Sequence, residues 1–215
     1  IFTVHSKQQY LQSYQQYNEA IQKLKALIDN GGSVDPFEVT NLFISVMTKV
    51  HSAHSCNVPF ENLDLGYLHR RINIDFASLY DKIVNKLRGG YCFELNGIYT
   101  WFLRTVLNEH QSLLDQHGIS FTIKLIPTFV YRAMLSSWSD VETHVVELIT
   151  IETPSSSGNN IKHVQHFIAD VGYGNSFMEP LQLVSGLIQH QYGRDYKIDL
   201  VEKPQQETIT DPTMG

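Results

Sequence analysis

Cys92 lies in RGGYCFELN, residues 88–96, directly after two glycines and at the expected start of a helix. A thiolate, not a thiol, attacks electrophiles, and free cysteine titrates near ~8.5. Unpaired N–H groups and the macrodipole at a helix N-terminus favour the anion. The position suits an activated thiol, and equally a small buried side chain filling a core. Nucleophilic chemistry would also need a base and an orienting group, brought together by the fold rather than adjacent in sequence. His144 opens the strand-like run HVVELITIE, where a side chain at a strand end can face a cleft. By alternation it shares a face with Val146 and Leu148 and is expected at the edge of a packed surface. Asp170 stands among Phe167, Ile168, Ala169 and Val171, where a carboxylate is costly to bury unpaired. An imidazole N–H would be a good partner, fixing the ring's tautomer as the third group of a triad does. A solvent-facing edge or turn residue before Gly172 is the competing reading for Asp170.

A metal centre is another chemistry that these residue types could suggest. His51-x2-His54-x-Cys56 and His163-x2-His166 have ligand-type residues at short spacing. No CxxC pair accompanies them, and histidines beside a helix end are more often caps or surface groups. No metal is therefore expected.

The elements that must carry these residues can be read from periodicity. Residues 6–29 repeat Leu11, Tyr14, Ile21, Leu24 and Leu27 or Ile28 on a helical face and stop at Asn30, Gly31 and Gly32. A second helix opens at DPFE, with Asp35 as cap and Pro36 in the first turn, and should run to about Val50. HSAHSCNVPFENLDL then reads as a polar and extended passage. A third helix is expected over 75–87, capped by Asp75, lined by Phe76, Leu79, Ile83 and Leu87, and ended by Gly89–Gly90. Another follows Cys92 through Ile98, Trp101, Phe102 and Val106. After that the period changes to that of strands: FTIKLIPTFVYR (121–132), HVVELITIE (144–152), HFIADVGYG (166–174) and YKIDLVE (196–202). TPSSSGNN (153–160) is a surface loop. Helices first and strands second imply an α+β fold. A helical portion over 1–110 would carry Cys92, a β-rich portion over 111–205 would carry His144 and Asp170, and 206–215 would form a polar tail.

Composition agrees with a globular chain: 42% apolar and 18% charged over 215 residues. A net charge of −6 argues against a broad nucleic-acid surface. No apolar run is long enough to span a bilayer, so no membrane partner is expected. Two cysteines, Cys56 and Cys92, suit a reducing, cytoplasmic setting.

Four separated motifs, in one order, resemble the arylamine N-acetyltransferase family. RGGYCFELN resembles its cysteine motif and VPFENLDL (58–65) the segment upstream. THVVEL (143–148) resembles its histidine strand, and ADVGYG followed by PLQL its aspartate strand. The resemblance covers roughly residues 40–195. It implies a helical first domain, a β-rich second domain and a third α/β lid, most of which this shorter chain is expected to lack. It also implies a papain-like Cys–His–Asp arrangement of Cys92, His144 and Asp170. Acetyl-CoA would acylate Cys92 to a thioester, and an arylamine, arylhydroxylamine or hydrazine would then take the acetyl group. Phe93, Phe129, Val141 and Thr143 would contact substrate or coenzyme A, and Arg88 with Glu61 would form an ion pair tying PFEN to the cysteine loop. The same triad with water as acceptor would be a cysteine hydrolase. A chain without its lid could also be a silent remnant. PFENLD favours the transferase, because it belongs to the family and not to papain-like sites in general.

Overall fold

The computed structural model describes residues 35–201 except 70, 156–160 and 175, together with Glu19, Gln22 and Ala26. These last three fall in the expected first helix and are helical and exposed. The rest of that helix and the tail 206–215 lie outside the described residues.

Helix α1 spans Pro36–Asn57. Asp35 caps it, its carboxylate accepting the Phe37 N–H at 3.0 Å. The helix passes the expected end near Val50, and HSAHSCN is its last two turns rather than a loop. The reason is that His51 and His54, three residues apart, both turn inward and are buried. A single turn, α2, follows at Leu63–Gly66. The expected third helix is shorter and less regular. An α segment, α3 (Phe76–Leu79), continues as a π-helical stretch over Tyr80–Asn85. Asp75 caps it as expected, through the Ser78 N–H at 3.0 Å. Of its four expected core residues, Leu79 and Ile83 are buried while Phe76 and Leu87 are exposed. Phe76 stacks on Trp101 instead, with ring centroids 3.9 Å apart. Helix α4 spans Cys92–Glu109 and α5 spans Gln111–Gln116.

The main sheet contains β1 (Ser120–Thr128), β4 (His144–Pro154), β5 (Lys162–Ala169) and β6 (Leu181–Gln182), antiparallel in the order β1-β4-β5-β6. Two hairpins lie outside it: β2 (Tyr131–Arg132) with β3 (Ser137–Trp138), and β7 (Ile188–Gln191) with β8 (Arg194–Lys197). The run expected over 121–132 therefore breaks at Phe129–Val130. The strand expected over 166–174 ends at Ala169, placing Asp170 just beyond it, and the one expected over 196–202 is confined to Arg194–Lys197.

On β4 the packed face carries Val145, Glu147, Ile149, Ile151 and Thr153, not Val146 and Leu148. His144 is buried although it falls on the less covered face, because Asp170 and Tyr173, beyond the end of β5, and Cys92, at the start of α4, lie against its ring. Val39, Phe43, Leu95, Tyr99, Ile149 and Ile151 belong to one buried cluster, so α1, α4 and the sheet share a core.

Candidate active site

The backbone before Cys92 is tied to the PFEN segment. The Gly90 carbonyl accepts the Glu61 N–H at 2.8 Å, and the Gly90 N–H reaches the Pro59 carbonyl at 3.2 Å. A β-carbon at Gly89 would fall 1.8 Å from the Pro59 carbonyl oxygen, so a side chain there would break this contact. Charge reinforces the junction. Arg88 Nη2 lies 2.7 Å from Glu61 Oε1, and the pair is part of a larger cluster. Arg88 Nη1 also donates to Asp64 at 3.1 Å, and Lys82 reaches Asp64 at 2.9 Å and Glu94 at 2.8 Å. Lys82 and Arg88 hold the Asp64 carboxyl below the usual carboxylate range. Glu94, two residues after Cys92 and buried, accepts the Tyr91 N–H at 3.1 Å and so caps the first turn of α4. Lys82, Asp64 and Glu94 were not singled out in the sequence. The acidic residue in the first turn was the available signal for Glu94.

Cys92 is the first residue of α4 and is buried. Its Sγ lies 3.9 Å from the Thr143 carbonyl oxygen, which brings the residue before His144 against the thiol. His144 Nε2 lies 2.8 Å from Asp170 Oδ2. The ring's other nitrogen is left for Cys92. Burial alone would lower the His144 pKa, but the hydrogen bonds and charges of Asp170 and Cys92 outweigh it and raise it to about 9. The ring is then an imidazolium at neutral pH. Tyr173 packs edge-on against it, with centroids 5.1 Å apart.

Asp170 is itself anchored. Its Oδ1 accepts the Gly172 N–H at 2.9 Å and the Asn96 side-chain N–H at 3.0 Å. Asn96 is fully buried and also donates to the Val145 carbonyl at 2.6 Å, while its Oδ1 accepts the Val171 N–H at 2.8 Å. One amide therefore joins the cysteine helix, the histidine strand and the aspartate turn. Asn96 is the last residue of RGGYCFELN, four after Cys92 and thus on the same helix face; that spacing was the missed signal. Gly172 completes the closure, since a β-carbon there would lie 2.8 Å from both Cys92 Cα and Asn96 Nδ2.

The remaining expected site residues surround this centre unevenly. Thr128, paired with His144 in the last rung of the β1–β4 ladder, is followed by Phe129, and the Thr143 N–H donates to the Thr128 carbonyl at 3.2 Å. Phe129, Val141 and Thr143 are exposed at this end of the sheet. Phe93 is exposed after Cys92, its ring 5.6 Å from that of Tyr91. Of the His51–His54–Cys56 group, the two histidines are buried whereas Cys56 is exposed. Among the described residues no three His, Cys, Asp or Glu side chains come together as a metal site. No helix among them is long and apolar enough to cross a membrane.

The family model described as N-acetyltransferase matches residues 44–211. This chain belongs to the arylamine N-acetyltransferase family. An arylamine N-acetyltransferase of Escherichia coli is 33% identical over 156 residues, covering 72% of this chain and 46% of that one. The solved structure of the Salmonella typhimurium arylamine N-acetyltransferase superposes with a TM-score of 0.54 at 28% identity, covering 73% of this chain and 48% of that one. The Mycobacterium marinum arylamine N-acetyltransferase solved in complex with CoA gives a TM-score of 0.54 at 26% identity, covering 80% and 54%. These neighbours share the α+β arrangement described above. The chain spans about half the length of the curated relatives it matches.

Proposed function

We propose that the protein transfers an acetyl group from acetyl-CoA to an arylamine, arylhydroxylamine or hydrazine through a thioester on Cys92. The observation that carries this reading is the short buried line from Asp170 through His144 to Cys92 at a helix N-terminus. His144 holds Cys92 as the thiolate of a thiolate–imidazolium pair, and Asp170 orients His144. The sulfur attacks the donor's carbonyl carbon, the donor carbon–sulfur bond breaks, and the imidazolium proton passes to the leaving coenzyme A thiolate. His144 is then neutral. The acceptor nitrogen attacks the Cys92 thioester, gives its proton to His144, and restores the starting pair.

A thioester is exchanged for a thioester in the first half, so that step runs near balance. An aromatic amine is weakly basic and attacks as the neutral form at pH 7. Backbone N–H groups of Cys92 and Phe93, at the start of α4, are the proposed donors to the developing oxyanion. Phe93, Phe129, Val141 and Thr143 are the proposed contacts for acceptor and coenzyme A. Water at the thioester would hydrolyse it, so these side chains must also shield the bond.

Intact mass spectrometry after mixing with acetyl-CoA tests the proposal. One added acetyl group is expected, absent in Cys92→Ser, and an aniline should remove it. No adduct at saturating donor would overturn the reading. Rapid loss to water alone would make the protein a cysteine hydrolase instead.

A further inference from the structure

We propose that His51 is a positioning residue for this site: it fixes the main chain of Asp170 and is itself braced by the β7–β8 hairpin. The inference rests on Cys92, His144 and Asp170 acting together as proposed above. Strand β5 ends at Ala169, so the Asp170 N–H leaves the sheet while still buried. A buried N–H without an acceptor is costly. His51, from the far end of α1, supplies one: the Asp170 N–H donates to His51 Nε2 at 3.1 Å. An imidazole nitrogen can accept only when unprotonated, which puts the ring proton on Nδ1. Nδ1 lies 2.9 Å from the Met178 carbonyl oxygen, an acceptor for that proton. The two contacts together define one tautomer of a neutral ring. Burial supports this state by lowering the His51 pKa to about 4, against smaller raising effects from Met178 and Asp170.

The brace is equally specific. Gln191 of β7 is buried, and its side-chain oxygen accepts the N–H groups of Met178 and Glu179, each at 3.0 Å. Its amide nitrogen donates to the Glu179 carbonyl at 2.9 Å. The peptide that presents its carbonyl to His51 is therefore clamped by the hairpin. Phe177 stacks on His51, rings 5.6 Å apart and 13° from parallel, and meets Tyr196 of β8 edge-on from its other neighbour. A hydrogen-bonded path thus runs from Gln191 through the Met178 peptide and His51 to Asp170, and on to His144 and Cys92.

Alkylation of Cys92 by iodoacetamide tests the inference without requiring acetyl transfer. In the unmodified protein, Cys92 should react faster at pH 6 than exposed Cys56, each site read by peptide mass spectrometry. Equal rates would overturn the triad reading and this inference with it. His51→Leu should slow Cys92 at pH 6 by ~10-fold or more, as misplacement of an orienting group does. His51→Gln offers an acceptor and a donor on one amide and should stay within about threefold of the parent. A folded His51→Leu protein with the parental rate and pH profile overturns the inference. So does a folded His51→Gln protein as slow as His144→Ala. Nitrogen NMR of the unmodified protein gives a readout independent of folding by either variant. His51 Nε2 should be unprotonated and coupled through the hydrogen bond to the Asp170 amide; a protonated Nε2 overturns the inference.

Discussion

Asp170 is held at three points: Oδ2 by His144, Oδ1 by Asn96 and Gly172, and its N–H by His51. A carboxylate fixed in this way presents its charge to one ring in one geometry. That charge, with Cys92, keeps the His144 ring protonated to about pH 9. Because the folded pKa lies above the ordinary 6.5, this pairing stabilises the fold fully below that pH and less as pH rises through about 9. Asp170→Asn keeps the shape and removes the charge. The His144 titration midpoint, followed by NMR of the ring, should fall from about 9 toward 6.5. Under the proposed mechanism, acetylation of Cys92 should slow by ~10²–10⁴-fold in the same variant, as in a catalytic triad that loses its acid. An unmoved midpoint would remove Asp170 as the cause. Cys92, His144 and Asp170 each stand out in an apolar or glycine-rich setting, but each keeps a bland competing reading until the four family-like motifs are taken together in their order. The roles of Asn96 and His51 are not readable in this way: spacing puts Asn96 on the Cys92 face, and His51 stands out only as a metal-type residue in a passage expected to be extended, while the partners that define both roles lie far off in the sequence.

Two junctions carry the site at the scale of elements. In the first, the turn after β5 presses Gly172 against the start of α4. Gly172→Ala must push these elements apart or distort both, a cost of about 1–3 kcal/mol. Thermal unfolding should show the loss, and acetylation should fall further than stability alone explains. A variant with parental activity would mean that the approach is not needed. In the second, the Lys82–Arg88 cluster binds PFEN to the cysteine loop. Arg88→Gln leaves Glu61, Asp64 and Glu94 facing Lys82 alone. It should cost about 1–3 kcal/mol and weaken activity, with unchanged melting temperature and turnover as the contrary result. The caps at Asp35 and Asp75 were legible because capping is local chemistry. The inward course of HSAHSCN and the π-helical stretch were not. Both are decided by what the segment packs against rather than by its own composition.

For the whole molecule, the change of period after residue 110 marked an α+β chain, while strand order stayed hidden because pairing is set by tertiary contacts. The packed face of β4 illustrates the difference. Alternation alone leaves two faces to choose from, and the buried one contains Glu147. That carboxyl is fully buried, and burial, aided by the Asp170 charge, pushes its pKa well above the ordinary 4.5. A raised folded pKa gives stability that is fully present below pH 4.5 and is lost as pH rises. The slope reaches at most ~1.4 kcal/mol per pH unit. Glu147→Gln removes the titration but keeps an oxygen for the Thr100 hydroxyl, now 3.1 Å from Oε1. Melting curves from pH 5 to pH 8 should turn progressively in the variant's favour. Parallel curves for the two proteins would mean that Glu147 does not titrate as a buried acid.

The amides of Asp170, Val171 and Gly172 donate in succession to side chains, namely His51, Asn96 and Asp170 itself. None of the three is held by a strand partner. Their hydrogen–deuterium exchange would therefore report assembly of the site separately from that of the sheet. A ligand or substitution that loosened the Cys92 surroundings while sparing the core would quicken exchange at these three positions first, leaving Ile149 and Ile151 protected.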